Sequence, residues 1–197
     1  SFIIIAIVYV LKLKSIEDFF PKYSFYLFFA ILSYALILIP MKKILSYEGF
    51  PCMSGMMIGM TLGMISGFLS GFYIGATNGI FLGSIFGMSV GIFFGAINGK
   101  CCGIMGIMEG LMAGFMGGLM GAMTSMMMLN DNLMIMSVLV FVISAIIILG
   151  LNLMLERETK ELSRKKINNI FIITYSIILT SLTLWLMVFG PRSVLLQ

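Results

Sequence analysis

The stretch from Gly55 to Gly103 reads GMMIGMTLGMISGFLSGFYIGATNGIFLGSIFGMSVGIFFGAINGKCCG and carries a glycine at every fourth position, thirteen in all. Of the 36 residues between these glycines, 27 are Met, Ile, Leu, Phe, Ser or Ala. A glycine inside a helix costs about 1 kcal/mol relative to alanine in water. In an apolar chain, the compensating gain is close backbone packing between membrane helices. The stretch therefore predicts tightly packed transmembrane helices with glycine at their contacts.

The rest of the chain is similarly apolar. Of its 197 residues, 60% are hydrophobic and 10% are charged, whereas an ordinary globular domain has roughly 25% charged residues. We therefore expect an all-α, polytopic transmembrane bundle in contact with the lipid bilayer, forming a single integral membrane domain over residues 1–197. Within it we distinguish N-terminal spans (1–51), a Gly/Met-rich core module (52–129) and a C-terminal two-helix unit (130–197).

The charged and chemically reactive residues exclude several classes of function. The net charge of +4 is explained by loop residues that face anionic headgroups, so it does not imply a nucleic-acid partner. The chain has no histidine, which removes the commonest proton shuttle and the commonest metal ligand. Its three cysteines do not form a disulfide framework. The sequence predicts no enzymatic activity.

Apolar segments long enough to cross a bilayer number six, and residues 2–13 form a doubtful seventh. We interpret 2–13 as part of a first helix or as a processed N-terminus. Turn signals separate the segments at Pro40, Thr77–Gly79, Asn98–Lys100 and Asn130–Asn132. The predicted spans are about 24–40, 53–75, 79–98, 104–129, 133–155 and 169–189.

The distribution of Lys and Arg predicts the orientation in the membrane. When residues 2–13 are counted as the first segment, the loops after the second, fourth and sixth segments carry eight of these residues, and the opposite side carries four. Because cytoplasmic loops are enriched in Lys and Arg, we expect residues 41–52, 99–103 and 156–168 in the cytoplasm and Asn130–Asn132 outside.

The glycine register predicts a central glycine-zipper helical hairpin formed by residues 55–75 and 79–98. Small residues spaced by four allow helix backbones to approach closely. The glycines either form the packing core of a monomer or a homo-oligomer, or line a pore; the sequence leaves these alternatives open. The predicted packing positions are Gly55, Gly59, Gly63, Gly67, Gly71, Gly75, Gly83, Gly87, Gly91, Gly95, Gly110, Gly114 and Gly118.

A methionine stripe marks the next helix. The stripe consists of seven methionines with spacings of 3, 4, 4, 4, 3 and 4 residues, close to the helical period. They are Met105, Met108, Met112, Met116, Met120, Met123 and Met127. The glycines of this helix fall on its opposite face, so we expect the sulfurs to face protein or an ion route. Met53, Met57, Met60 and Met64 repeat the pattern beside Gly55, Gly59 and Gly63.

Thioether and thiolate sulfur are soft ligands that select Cu(I), and a ladder of weak sites would suit stepwise movement of an ion. The alternative is that methionine fills irregular gaps between glycine-rich helices. Cys101 and Cys102 would lie at the cytoplasmic end of the stripe. The candidate metal ligands are Met105, Met108, Met112, Met116, Met120, Met123, Glu109, Cys101 and Cys102.

Glu109 is the only charged residue that lies well inside a predicted span. A carboxylate there costs about 2–3 kcal/mol if it faces lipid, so we expect it to face protein, water or an ion. It is either a cation or proton step at the mouth of the stripe, or a carboxyl near the interface that is protonated or hydrogen-bonded.

The run MEGLMAGFMGGLMGAM at residues 108–123, together with residues 52–103, resembles a group of prokaryotic Gly/Met-rich integral membrane proteins. Some members of that group are fused to, or found beside, cupredoxin-like copper proteins. The resemblance covers about residues 52–129 and implies a membrane module associated with copper handling. The chain departs from the fused members because it has no cupredoxin domain and no histidine.

Two hypotheses of different classes follow. The first is a membrane protein that binds or conducts a soft metal ion, Cu(I), along residues 105–127. The second is a non-catalytic glycine-zipper scaffold or accessory subunit that forms homo-oligomers or braces a larger membrane complex. A gated pore for larger solutes is a third hypothesis, although the chain shows no charged ring or transporter-like broken helix.

Overall fold

The computed structural model describes residues 19–45, 51–100, 103–128, 132–158 and 169–189. These residues form six α-helices in chain order, and they contain no strand. Five of the helices contain segments long and apolar enough to cross a membrane, which marks an integral membrane protein. The helices are α1 (Phe19–Leu45), α2 (Cys52–Asn78), α3 (Ile80–Gly99), α4 (Gly103–Met127), α5 (Leu133–Glu158) and α6 (Asn169–Phe189).

The helices occupy the predicted segments, and α1, α2 and α5 extend beyond them. The five candidate spans coincide with five predicted ones, and α6 occupies the predicted segment 169–189. The doubtful segment 2–13 lies outside the described residues. Helix α1 continues to Leu45 and α5 to Glu158. The first residues of the predicted loops 41–52 and 156–168 are therefore helical.

The predicted break at Pro40 is wrong, because α1 passes through Pro40 and includes Lys42 and Lys43. A proline inside a helix removes one backbone hydrogen bond. Membrane helices tolerate this loss where neighbouring helices surround the proline. Pro40 and the next residue, Met41, are both buried against the rest of the bundle.

The predicted turn at Gly79 is present and consists of that single residue. Gly79 has φ 104° and ψ 170°, a backbone conformation that only glycine adopts without strain. Its N–H donates to the carbonyl of Gly75 at 3.1 Å, which closes the end of α2. Helix α3 then begins at Ile80, so α2 and α3 form a tight antiparallel hairpin.

Among the described residues, helices α2, α3 and α4 make the most extensive helix–helix contacts. Helices α5 and α6 pack more closely against α1 than against α2, and α1 also contacts α2. Phe29 of α1 contacts Phe141 of α5 with ring centroids 5.4 Å apart. Lys43 donates to Glu156 Oε1 at 2.8 Å and to Asn152 Oδ1 at 3.3 Å, near the ends of the same two helices. Helices α1 and α5 therefore run in the same direction.

One end of the bundle carries four of the five basic residues in the described part of the chain. Only six residues separate α1 from α2, and they reach about 25 Å at most, whereas α2 is about 40 Å long. The end of α1 and the start of α2 must therefore lie at the same end. Lys42, Lys43, Lys100 and Arg157 all lie at this end, which we call the basic end.

Candidate functional site

The glycine faces of α2, α3 and α4 meet one another in five layers, each with one small residue from each helix. In the middle layer, a Cβ on Gly91 would lie 2.6 Å from the carbonyl oxygen of Gly114 and 2.9 Å from the Cα of Gly67. Real Cβ atoms essentially never approach other atoms this closely. The layers are Gly59–Gly99–Gly106, Gly63–Gly95–Gly110, Gly67–Gly91–Gly114, Gly71–Gly87–Gly118 and Gly75–Gly83–Ala122.

Backbone-to-backbone contact runs through all five layers, so the three helices leave no lumen between them. The partners of each glycine are mostly Cα and carbonyl atoms of the other two helices. Such approaches permit Cα–H···O contacts in addition to dense packing. The glycine surface of each helix is therefore used inside one chain, and a pore along this axis is not compatible with the geometry.

The order of the layers gives the directions of the helices. From the first of these layers to the last, the residue numbers rise along α2 and α4 and fall along α3. Helices α2 and α4 are thus parallel neighbours, and α3 is antiparallel to both. The sequence predicted the α2–α3 hairpin but not the parallel pairing of α2 with α4, to which Gly106, Gly117 and Gly121 also contribute.

The methionine stripe of α4 lies on the face opposite the glycines. The side chains of its seven methionines are 48–78% exposed in the single chain. Helix α4 packs mainly against α2 and α3, so this face points away from the bundle. We expected these sulfurs to face protein or an ion route; within the described residues, no other helix of this chain covers them.

The methionine row of α2 (Met53, Met57, Met60 and Met64) runs beside α4. A Cβ on Gly117 would lie 3.0 Å from the Cα of Met64, and a Cβ on Gly121 would lie 2.9 Å from the Cα of Phe68. These contacts place the row along the line where the outer surfaces of α2 and α4 meet, which we call the α2–α4 seam. The four methionines are 40–80% exposed. The two rows therefore form one methionine-rich outer surface.

Glu109 lies on the exposed side of α4, between the stripe and the seam. It is six residues from the start of α4 at Gly103, or about 9 Å along the helix axis. The hydroxyls on the outer faces of these helices bond to their own backbones: Thr61 donates to the carbonyl of Met57 and Thr124 to that of Met120, each at 2.7 Å. Among the described residues of α2 and α4, Glu109 is the charged side chain that lies on this outer surface away from the helix ends.

The predicted cysteine ligands Cys101 and Cys102 lie outside the described residues. Cys52 begins α2 at the basic end and is exposed. Among the described residues, no group of three or more His, Cys, Asp or Glu side chains is placed to hold a metal ion. Thioether sulfur is thus the main soft donor that the described outer surface offers.

Comparisons with protein-family models, with curated proteins and with solved structures find no match to this chain.

Proposed function

We propose that this protein is a non-enzymatic, multi-pass membrane protein that binds the soft monovalent ion Cu(I) at the methionine face of α4. The observation that supports the proposal is the two-sided character of this helix, with glycine against the bundle and thioether sulfur on the outside. Methionines three or four residues apart on a helix have Cβ atoms about 5–6 Å apart. Two such side chains can therefore share one ion, and Cu(I) prefers sulfur ligands.

The proposal includes a glycine zipper that holds α2, α3 and α4 together and a bundle of six or seven spans within one domain. Conduction of the ion requires an enclosed route, because an ion exposed to hydrocarbon is costly. The methionine face of one chain is open, so a route would need a second copy or another subunit to cover it. The proposed partners are thus lipid and a second copy of the chain or a larger membrane complex.

Titration of the purified protein with Ag(I), a redox-inert analogue of Cu(I), tests the function. The protein is placed in lipid nanodiscs with Cys52, Cys101 and Cys102 changed to Ser, so that only thioethers remain as soft ligands. We expect saturable Ag(I) binding by equilibrium dialysis and no competition from excess Zn²⁺, a harder cation that favours nitrogen and thiolate ligands. Absence of saturable Ag(I) binding would rule out the proposed function.

A second candidate function is that of a scaffold. The observation that favours it is the rigid glycine-layered unit, whose outer surface remains free to brace another membrane protein. In that case the same titration would show no Ag(I) binding, while the protein would still fold and assemble.

We also propose that the basic end faces the cytoplasm, with residues 41–52, 99–103 and 156–168 on that side. The proposal is supported by Lys42, Lys43, Lys100 and Arg157, which share one end of the bundle. In the same cysteine-free background, Asn132→Cys should react with an impermeant maleimide on intact cells. Lys100→Cys should react only after the cells are permeabilised. The reverse labelling pattern would invert the orientation.

A further inference from the structure

We propose that the α2–α4 seam holds a soft-metal site centred on Ala113, with ligands from both helices. The proposal rests on the proposed function and deepens it, since it adds donors from α2 to those of α4. The proposed donors are Met60, Met64, Glu109 and Met116.

The position of the site follows from the backbone contacts along the seam. Gly121 contacts the backbone of Phe68, and Gly117 contacts that of Met64. These contacts advance by four residues on both helices, because α2 and α4 are parallel. Four residues closer to the basic end on both helices, the same spacing brings Ala113 of α4 beside Met60 of α2.

Ala113 leaves room at this point of the seam. It is 7% exposed and has only a methyl group, whereas longer side chains border it. On α4, Glu109 and Met116 lie four residues before and three residues after Ala113, which makes them its neighbours on the helix surface. On α2, Met60 and Met64 are themselves spaced by four. Four long side chains thus surround one small residue.

Burial is consistent with a site at the seam. Met60 and Met64 are 45% and 40% exposed, less than Met53 and Met57 of the same row at 80% and 53%. Met64 also lines a cavity with Met136 and Val140 of α5, so part of its cover comes from that helix. Met60 and Met64 remain reachable from outside the bundle. An ion could therefore enter without separation of α2 from α4.

The donor set suits a soft cation in a membrane. Three thioethers supply the sulfur ligands that Cu(I) prefers, but they carry no charge. Moving a cation out of water into a region of low dielectric constant is costly unless an opposite charge accompanies it. The Glu109 carboxylate supplies that charge, which gives this acidic residue inside an apolar span a specific role.

The test compares two pairs of near-isosteric substitutions in the cysteine-free background in nanodiscs. Met60→Leu with Met64→Leu removes the α2 donors, and Met134→Leu with Met154→Leu removes two methionines of α5, outside the seam. Leu for Met changes side-chain volume little, and helical circular dichroism with thermal unfolding checks each fold. We expect the α2 pair to weaken the tightest Ag(I) site at least tenfold and the α5 pair to leave it within twofold. Glu109→Gln should also weaken it at least tenfold.

The outcomes separate this inference from the proposed function. If the α2 pair binds Ag(I) as the unsubstituted protein does, the seam site is wrong, whereas the methionine face of α4 still stands. If Glu109→Gln leaves Ag(I) affinity unchanged, the four-donor site is overturned. If the unsubstituted protein binds no Ag(I), the proposed function itself fails.

Discussion

Replacement of Gly91 by alanine should destabilise the protein by about 3 kcal/mol or more, at or above the upper end of the usual cost of overpacking. Gly91 lies in the middle glycine layer, where a Cβ would meet the carbonyl oxygen and Cα of Gly114 and the Cα of Gly67. These atoms belong to the backbones of two other helices, so no side-chain rotation relieves the clash. A native protein is stable by only about 5–15 kcal/mol, and a loss of this size is readily measured by SDS-induced unfolding in mixed micelles.

Gly150→Ala is the matched control for this prediction. Gly150 lies in α5, and a Cβ built there meets no atom within 4 Å. We expect the control to change stability by less than about 1 kcal/mol, because only the intrinsic helix preference of the residue changes. Equal stabilities for the two variants would show that the glycine layers are not closely packed.

Removal of sulfur from the methionine face should abolish most Ag(I) binding while the fold is retained. The variant combines Met108→Leu, Met112→Leu and Met116→Leu, which takes three consecutive thioethers from the exposed face of α4. Leucine preserves the apolar volume but offers no soft ligand. We expect affinity for Ag(I) to fall at least a hundredfold by equilibrium dialysis, with helical circular dichroism unchanged.

The control for this variant replaces Met134 and Met154 of α5 by leucine. These two residues do not belong to the methionine face or to the α2–α4 seam, so their loss should change Ag(I) affinity less than twofold. Equal losses in the two variants would mean that methionine binds silver regardless of position. Unchanged binding in both would assign the methionines to packing and favour the scaffold.

Much of the fold could be predicted from the sequence, because the decisive signals are local. The four-residue glycine register and the length of the apolar segments locate α2, α3 and α4 closely, and Gly79 marks the turn between the first two. The spacing of Met105–Met127 against Gly106–Gly118 separates the two faces of α4 correctly. Each of these signals depends on residues within one or two helical turns.

The features that were missed depend on which helices become neighbours. Periodicity alone does not pair α2 with α4, because the two helices are separated by all of α3. The contact of Gly117 with Met64, and with it the α2–α4 seam, was therefore not predicted. The helix also continues through Pro40, which follows from burial within the bundle and not from the local sequence.

X-ray absorption at the copper edge, on protein loaded with Cu(I) under reducing conditions in nanodiscs, tests the central claim most directly. In the cysteine-free background, only thioether sulfur can supply soft ligands. We expect retained copper with sulfur as its main neighbour, and loss of that signal in the Met108/Met112/Met116→Leu variant. Copper surrounded only by nitrogen and oxygen, or no retained copper, would contradict the account of the methionine face.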